Sequence, residues 1–184
     1  MAPVIEAARK QGVFIIHAPS DTMDFYLETP QRKRMQQAPK VAPPEAKPLN
    51  EPPLPIDASD GGCDDEPQCR NYKAWSRQHP LLRIAEEDGV SDNGGEVYNA
   101  LQARGVKTVL LMGVHTNMCV LNRGFAIRQL TRWGMTCVLV RDLTDTMYNP
   151  RKPPMVSHDG GTQLVIEHIE KFLCPSIDSS DVKR

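Results

Sequence analysis

Long hydrophobic runs are missing from this sequence, and no apolar stretch approaches the roughly 20 residues a membrane-spanning helix needs. The first residues also lack the pattern of a secretory signal peptide. An excess of charge of either sign is missing too. With 22 Lys and Arg against 23 Asp and Glu, the formal net charge is -1. That excludes the basic footprint of a nucleic-acid binder or an anionic-membrane binder. Cysteine is sparse and irregularly spaced, at five residues, which points to a reducing compartment more than to a disulfide framework. A cytoplasmic protein is the expectation. At 184 residues the chain can hold one α/β domain with a proper core and is too short to split comfortably into two. The expected organisation is one domain over 1–184 with a Pro-rich irregular insertion at about 28–75.

The most informative stretch runs from Gly105 to Asn149 and reads as strand, tight loop, helix, strand. Val109, Leu110, Leu111 and Met112 form a short apolar run closed by Gly113, as expected of a parallel strand covered on both faces. Polar His115, Thr116 and Asn117 interrupt it, and Thr116 or Asn117 can cap a helix. Val120, Ile127 and Leu130 then fall at helical spacing, Gly134 supplies a stop, and Thr136 to Val140 read as the next buried strand. This is a βαβ unit of about the minimum crossover length.

The loop delivers Cys119 to the start of that helix. A thiol is a weak nucleophile until it ionises, and the first turn of a helix favours the thiolate through its dipole and its N–H groups. The same N–H groups can hold the negative oxygen of a tetrahedral intermediate. Position alone leaves a second reading open, in which Cys119 is a small buried apolar residue.

The segment Gly113-Val114-His115-Thr116-Asn117-Met118-Cys119-Val120, preceded by Arg104-Gly105-Val106 and followed by Arg141-Asp142, resembles the signature of the isochorismatase-like cysteine hydrolases. The resemblance implies a three-layer α/β/α sandwich around a mainly parallel, Rossmann-like sheet. It also implies an Asp–Lys–Cys triad acting on small amides, carbamoyl groups or a vinyl ether. Cys119 matches the nucleophile. The Val114–His115 bond matches a cis peptide that turns the N–H groups of His115 and Cys119 into an oxyanion hole.

Two of the family's parts have no counterpart here. Val4, Ile5 and Ala8 suggest an amphipathic helix stopped near Gly12, and Val13 to Ile16 a buried strand ending in His17, so the sequence opens inside a helix-to-strand connection. The family's first, central strand, which carries the triad Asp, is missing from the expected elements: either the sequence starts at an internal Met or this is a shortened relative. The family Lys should fall near Arg83 to Glu87, where no Lys stands. Arg83 can supply a fixed positive charge but cannot shuttle protons. Lys73 is the nearest lysine, in the irregular loop.

Elsewhere the sequence is less specific. His17, Asp21 and Asp24 cluster after a strand end but lack metal-ligand spacing, so turn and cap roles are expected and no metal or cofactor is assigned. Pro30 to Pro55 read as an extended loop. Cys63 and Cys69 flank acidic residues and could form a local disulfide or bind a soft metal, with an ordinary acidic turn preferred. Leu81 to Ala85 read as a short strand, Asp88 to Asn93 as a turn and Gly95 to Ala103 as a helix. Asp142 and Asp145 sit at a strand's C-terminal end, where open α/β sheets bind ligands; Asp142 is taken as substrate-orienting and Asp145 as a turn cap. Tyr148 and His158 are candidate pocket linings. Thr162 to Ile166 read as the last strand, Glu167 to Leu173 as a closing helix in which His168 packs, and the tail after Pro175 as frayed.

The expected function is hydrolysis of a small carbonyl, amide or carbamoyl compound, with Cys119 as nucleophile, the His115 amide as oxyanion donor and Arg83 as fixed charge. His17, Thr116, Asn117, Asp142 and Tyr148 are the expected substrate contacts. A small-molecule substrate and a homo-oligomer are the expected partners. The alternative is a non-catalytic or truncated relative that binds a small molecule or acts through assembly.

Overall fold

A computed structural model describes residues 1–68 and 75–183. In chain order the elements are α1 (Ala2–Lys10), β1 (Ile16–His17), a short 3-10 turn (Met23–Tyr26), α2 (Pro30–Gln36), β2 (Gly89–Val90), α3 (Gly94–Ala103) and β3 (Thr108–Val114). A π turn (Thr116–Val120), α4 (Ile127–Arg132), β4 (Thr136–Asp145), α5 (His158–Phe172), β5 (Ser176–Ile177) and α6 (Ser179–Val182) follow. Every strand pairing is parallel, so the fold is mixed α/β as expected. The chain divides into two compact units, one of residues 1–44, 72–107 and 179–184, the other of residues 45–71 and 108–178.

In the first unit β1 pairs with β2, Ile16 opposite Gly89 and His17 opposite Val90. The strand expected at Leu81 to Ala85 is not one. Turns hold that stretch, with Leu82 N–H donating to the His79 carbonyl and Asp88 N–H to the Ala85 carbonyl, and the pairing falls further on, at Gly89–Val90. α1 buries Val4, Ile5 and Ala8, the expected apolar stripe. The stretch from Pro30, expected as an extended loop, instead begins with α2, because Thr29 caps it and proline suits the first helical position. α2 ties to α3 through the ion pair between Arg32 and Glu96, and Asn93 caps α3 by accepting from Glu96 N–H at 3.1 Å.

In the second unit the sheet order is β3-β4-β5. β3 is therefore an edge strand among the described residues, and its faces are not both covered. Leu110 is 39% exposed and Val114 53%. An apolar run says that a strand is rich in β-formers, and says nothing about how many neighbours it pairs with. β3 and β4 run in step from Thr108 opposite Thr136 to Leu111 opposite Leu139. An irregularity then brings Gly113 opposite Thr144 and Val114 opposite Asp145, so β4 continues past Val140 to Asp145.

Four further expectations are corrected in this unit. The helix after Cys119 is not continuous, because a π turn ends at Val120 and α4 begins only at Ile127. Between them the Asn122 side chain donates to the Asn117 carbonyl at 3.0 Å, and Gly124 adds a poor helix former. Thr162 to Ile166 is helical, part of α5. Ser157 caps α5 by accepting from Gly160 N–H at 3.1 Å, and Val165, Ile166 and Ile169 make a buried stripe at helical spacing. The tail is paired, not frayed, with Ser176 opposite Leu139 and Ile177 opposite Val140. The Pro-rich segment has no regular structure at Glu51, yet Glu51 is buried and receives hydrogen bonds from Arg128 (2.6 and 2.8 Å) and His168 (2.9 Å). Cys63 is disulfide-bonded, so the plain acidic turn is corrected, while Cys69 and Lys73 lie outside the described residues.

Candidate active site

The second unit brings four of the expected residues to the C-terminal ends of β3 and β4. β3 ends at Val114, the Val114–His115 peptide is cis as the resemblance implies, and the π turn carries Cys119. The His115 carbonyl accepts from the N–H groups of Met118 (3.1 Å) and Val120 (3.2 Å), which closes the turn on itself. Buried Thr116 and Asn117 stitch it to the end of β4 and to the chain just beyond. Thr144 Oγ1 donates to the Gly113 carbonyl at 2.8 Å, which leaves Thr116 Oγ1 to donate to Thr144 Oγ1 at 2.7 Å. The Asn117 side chain clamps Met147, donating to its carbonyl at 2.9 Å and accepting from its N–H at 3.0 Å. Thr116 and Asn117, expected as substrate contacts, thus spend their polar groups on holding the loop.

The three thiols of the described residues differ sharply in setting. Cys137 and Cys174 are buried, and burial pushes them up to about 11 and about 12 respectively. Cys119 is half-buried on the turn, with Met118 beside it 46% exposed. It is the thiol among them that a solute can reach.

A pair the sequence reading treated separately sits at the same edge. His158, first residue of α5, places Nε2 2.8 Å from Asp145 Oδ1 and Nδ1 3.0 Å from the Tyr148 carbonyl. Both ring nitrogens therefore face acceptors, which is the arrangement of an imidazolium. The Asp145 carboxylate, then the Tyr148 carbonyl, hold His158 above the ordinary histidine value. Burial pushes Asp145 up, but the hydrogen bond and charge of His158 outweigh it, and its carboxyl lies below the usual range. His115 is near enough to sense both. Burial lowers it most, Asp145 pulls it up and His158 pushes it down, for a net fall. The ring of His115 makes no hydrogen bond with another described residue. Position alone could not pair Asp145 with His158, because the bond depends on where α5 starts.

The remaining expected residues have other employment. Tyr148 is buried, its hydroxyl donating to the Lys152 carbonyl at 2.7 Å, and Asp142 is exposed within β4. His17 and Arg83 belong to the first unit. His17 is buried, with Nε2 2.9 Å from Asp88 Oδ2 and Nδ1 beside the Gln78 amide. Arg83 is exposed and donates to both Glu6 oxygens, at 3.2 and 3.0 Å. Among the described residues no cluster of His, Cys, Asp and Glu could hold a metal ion, and no helix is long and apolar enough to cross a membrane.

The π turn and its flanking strands fall inside residues 93–153, which match the Isochorismatase domain family. The chain is isochorismatase-like over that segment. A solved structure described as a cysteine hydrolase from Pseudomonas syringae pv. phaseolicola 1448A is similar to it with a TM-score of 0.59 and 14% identity. The similarity covers 98% of this chain and 75% of that one, and it is a likeness of fold. No curated protein matches the sequence.

The His158–Asp145 pair carries a prediction with a definite sign. A histidine raised by folding stabilises fully below its unfolded value, about 6.5, and loses that contribution as pH rises through the folded value. Asp145, lowered by folding, contributes only above about pH 4. The pair should therefore stabilise most between about pH 4 and 6.5. Thermal melts of wild type and Asp145→Asn should diverge there and converge at alkaline pH; parallel curves would remove the pair from the account.

Proposed function

We propose that this protein is a cysteine hydrolase of the isochorismatase-like type that cleaves a small amide or carbamoyl compound, with Cys119 as nucleophile. The observation that carries the reading is the placement of Cys119. It is the reachable thiol of the described residues, held on a tied-down turn at the C-terminal edge of a parallel sheet, where α/β folds bind ligands. The Cys119 sulfur adds to the carbonyl carbon, the C–N bond breaks to release the amine, and water then hydrolyses the thioester and restores the thiol. The resemblance assigns the His115 and Cys119 amides to the oxyanion. Arg83 is left out of the proton transfers, because its guanidinium stays charged and is paired with Glu6.

The test is a screen of small amides and carbamoyl compounds with mass spectrometry of the quenched reaction. A substrate-derived acyl adduct on Cys119 is expected. Cys119→Ala should abolish both adduct and turnover while changing thermal stability little, since the side chain is small and half-buried. Retained turnover in Cys119→Ala would sink the assignment.

A further inference from the structure

Glu51 belongs to the second unit and to a stretch without regular structure, yet its side chain is only 8% exposed. Two helices hold it. Arg128 of α4 donates from Nη2 to Oε1 at 2.6 Å and from Nε to Oε2 at 2.8 Å, the side-on fork that fixes a carboxylate in one orientation. His168 of α5 places Nε2 2.9 Å from Oε1. Burial pushes the Glu51 carboxyl up, but the bonds from Arg128 and His168 outweigh it, so it lies below the usual range. Pro52 and Pro53 follow directly and narrow the backbone freedom lost when the segment is tied down.

The fork uses Nε and Nη2 of Arg128 and leaves Nη1, which donates to Asn122 Oδ1. With its oxygen so engaged, the Asn122 amide turns Nδ2 to the Asn117 carbonyl at 3.0 Å. That carbonyl shares a rigid peptide plane with the Met118 N–H, which donates to the His115 carbonyl at 3.1 Å and closes the π turn. An unbroken chain of hydrogen bonds thus runs from Glu51 to the peptide one residue ahead of Cys119. α4 is a helix separate from the turn, so Arg128 reaches it through the Asn122 amide.

We infer that Glu51 is a positioning residue for Cys119, acting through Arg128 and Asn122 on the Asn117–Met118 peptide. The inference rests on the nucleophile reading above. In that reading the N–H groups of the turn favour the Cys119 thiolate, and a slackened turn aims them less well. Without the carboxylate the Arg128 fork loses its anchor, the Asn122 amide is free to rotate, and the turn samples more than one placement of the thiol.

The experiment follows iodoacetamide alkylation of Cys119 at about pH 7 by peptide mass spectrometry in the full chain, in wild type, Glu51→Gln, Asn122→Asp and the double variant. Glu51→Gln keeps the shape and removes the charge that orders Arg128. Asn122→Asp keeps the oxygen that Arg128 donates to and removes the N–H that the Asn117 carbonyl accepts. Each single variant should react about tenfold more slowly, within the loss that a misplacement of about 1 Å can cause. Asn122→Asp should do so with no fall in melting midpoint, since the exposed side chain gains an ion pair with Arg128; a merely structural role would not move the rate. The double variant should match the slower single, because both changes cut one chain, whereas a fall of about a hundredfold, the product of independent effects, overturns the route through Asn122. Continued protection of Cys137 and Cys174 reports an intact unit. If Glu51→Gln fails that check, Asn122→Asp decides alone. An Asn122→Asp rate equal to or above that of wild type overturns the inference and leaves the nucleophile standing. A wild-type Cys119 no more reactive than a free cysteine overturns both.

Discussion

Replacing Tyr148 by alanine should cost the 108–178 unit about 3–5 kcal/mol, read as a lower midpoint in denaturant, because the whole ring is removed from a packed site. Tyr148 is 1% exposed. Its hydroxyl donates to the Lys152 carbonyl at 2.7 Å and accepts from Val156 N–H at 3.3 Å, so it closes the loop between β4 and α5. The ring lies so close to Gly161 that a Cβ there would run into it, which is why α5 carries glycine where a better helix former would otherwise serve. Gly161→Ala should therefore damage the same contact. Tyr148→Phe keeps the ring and loses only the hydroxyl bonds, for about 1 kcal/mol. Equal losses in the Phe and Ala variants would show that the hydroxyl, not the packed ring, holds the loop.

Asp88→Ala should destabilise the first unit by about 3–5 kcal/mol, the range for breaking a buried charge cluster from one side. The Asp88 side chain is 1% exposed and gathers Arg9 (2.7 and 3.2 Å), His17 (2.9 Å) and the Ala85 N–H (2.8 Å). Removing it takes a partner from Arg9, which keeps Glu6, from His17, which keeps Gln78, and from the Ala85 N–H. Burial pushes the Asp88 carboxyl up, but the bonds from Arg9, Ala85 N–H and His17 outweigh it, so the carboxyl lies below the usual range. A lowered carboxyl stabilises above its unfolded value, near 3.9, and loses that contribution as pH falls through the folded value. The wild type should thus lose stability on acidification below about pH 4 more steeply than Asp88→Asn does. Identical acid limbs would exclude Asp88 as the source.

These two residues show how unevenly the sequence displayed the molecule. Tyr148 reads as a polar-tipped rim residue because it stands between Asn149-Pro150 and a turn, and its burial depends on α5 presenting Gly161 to it. Asp88 reads as a turn residue, because its partner Arg9 lies 79 positions away. His17, expected at a ligand, is instead consumed by that carboxylate. Asp145 and His158 were each visible, yet their bond follows from the start of α5, which Thr162 to Ile166 disguised as a strand.

What the sequence determined by itself is local. The apolar run to Gly113, the polar interruption and Cys119 after it specify a strand and a tight turn through short-range sterics and hydrogen bonds, and that stretch lies in the segment matched to the Isochorismatase domain. Caps at Thr29, Asn93 and Ser157 were likewise set by side chains reaching the next turn. Only the tertiary structure decided that β3 is a sheet edge among the described residues and that Thr116 and Asn117 are stitches to Thr144 and Met147. Those outcomes turn on which groups meet across long loops. Periodicity carries the face a residue occupies, not the partner that faces it.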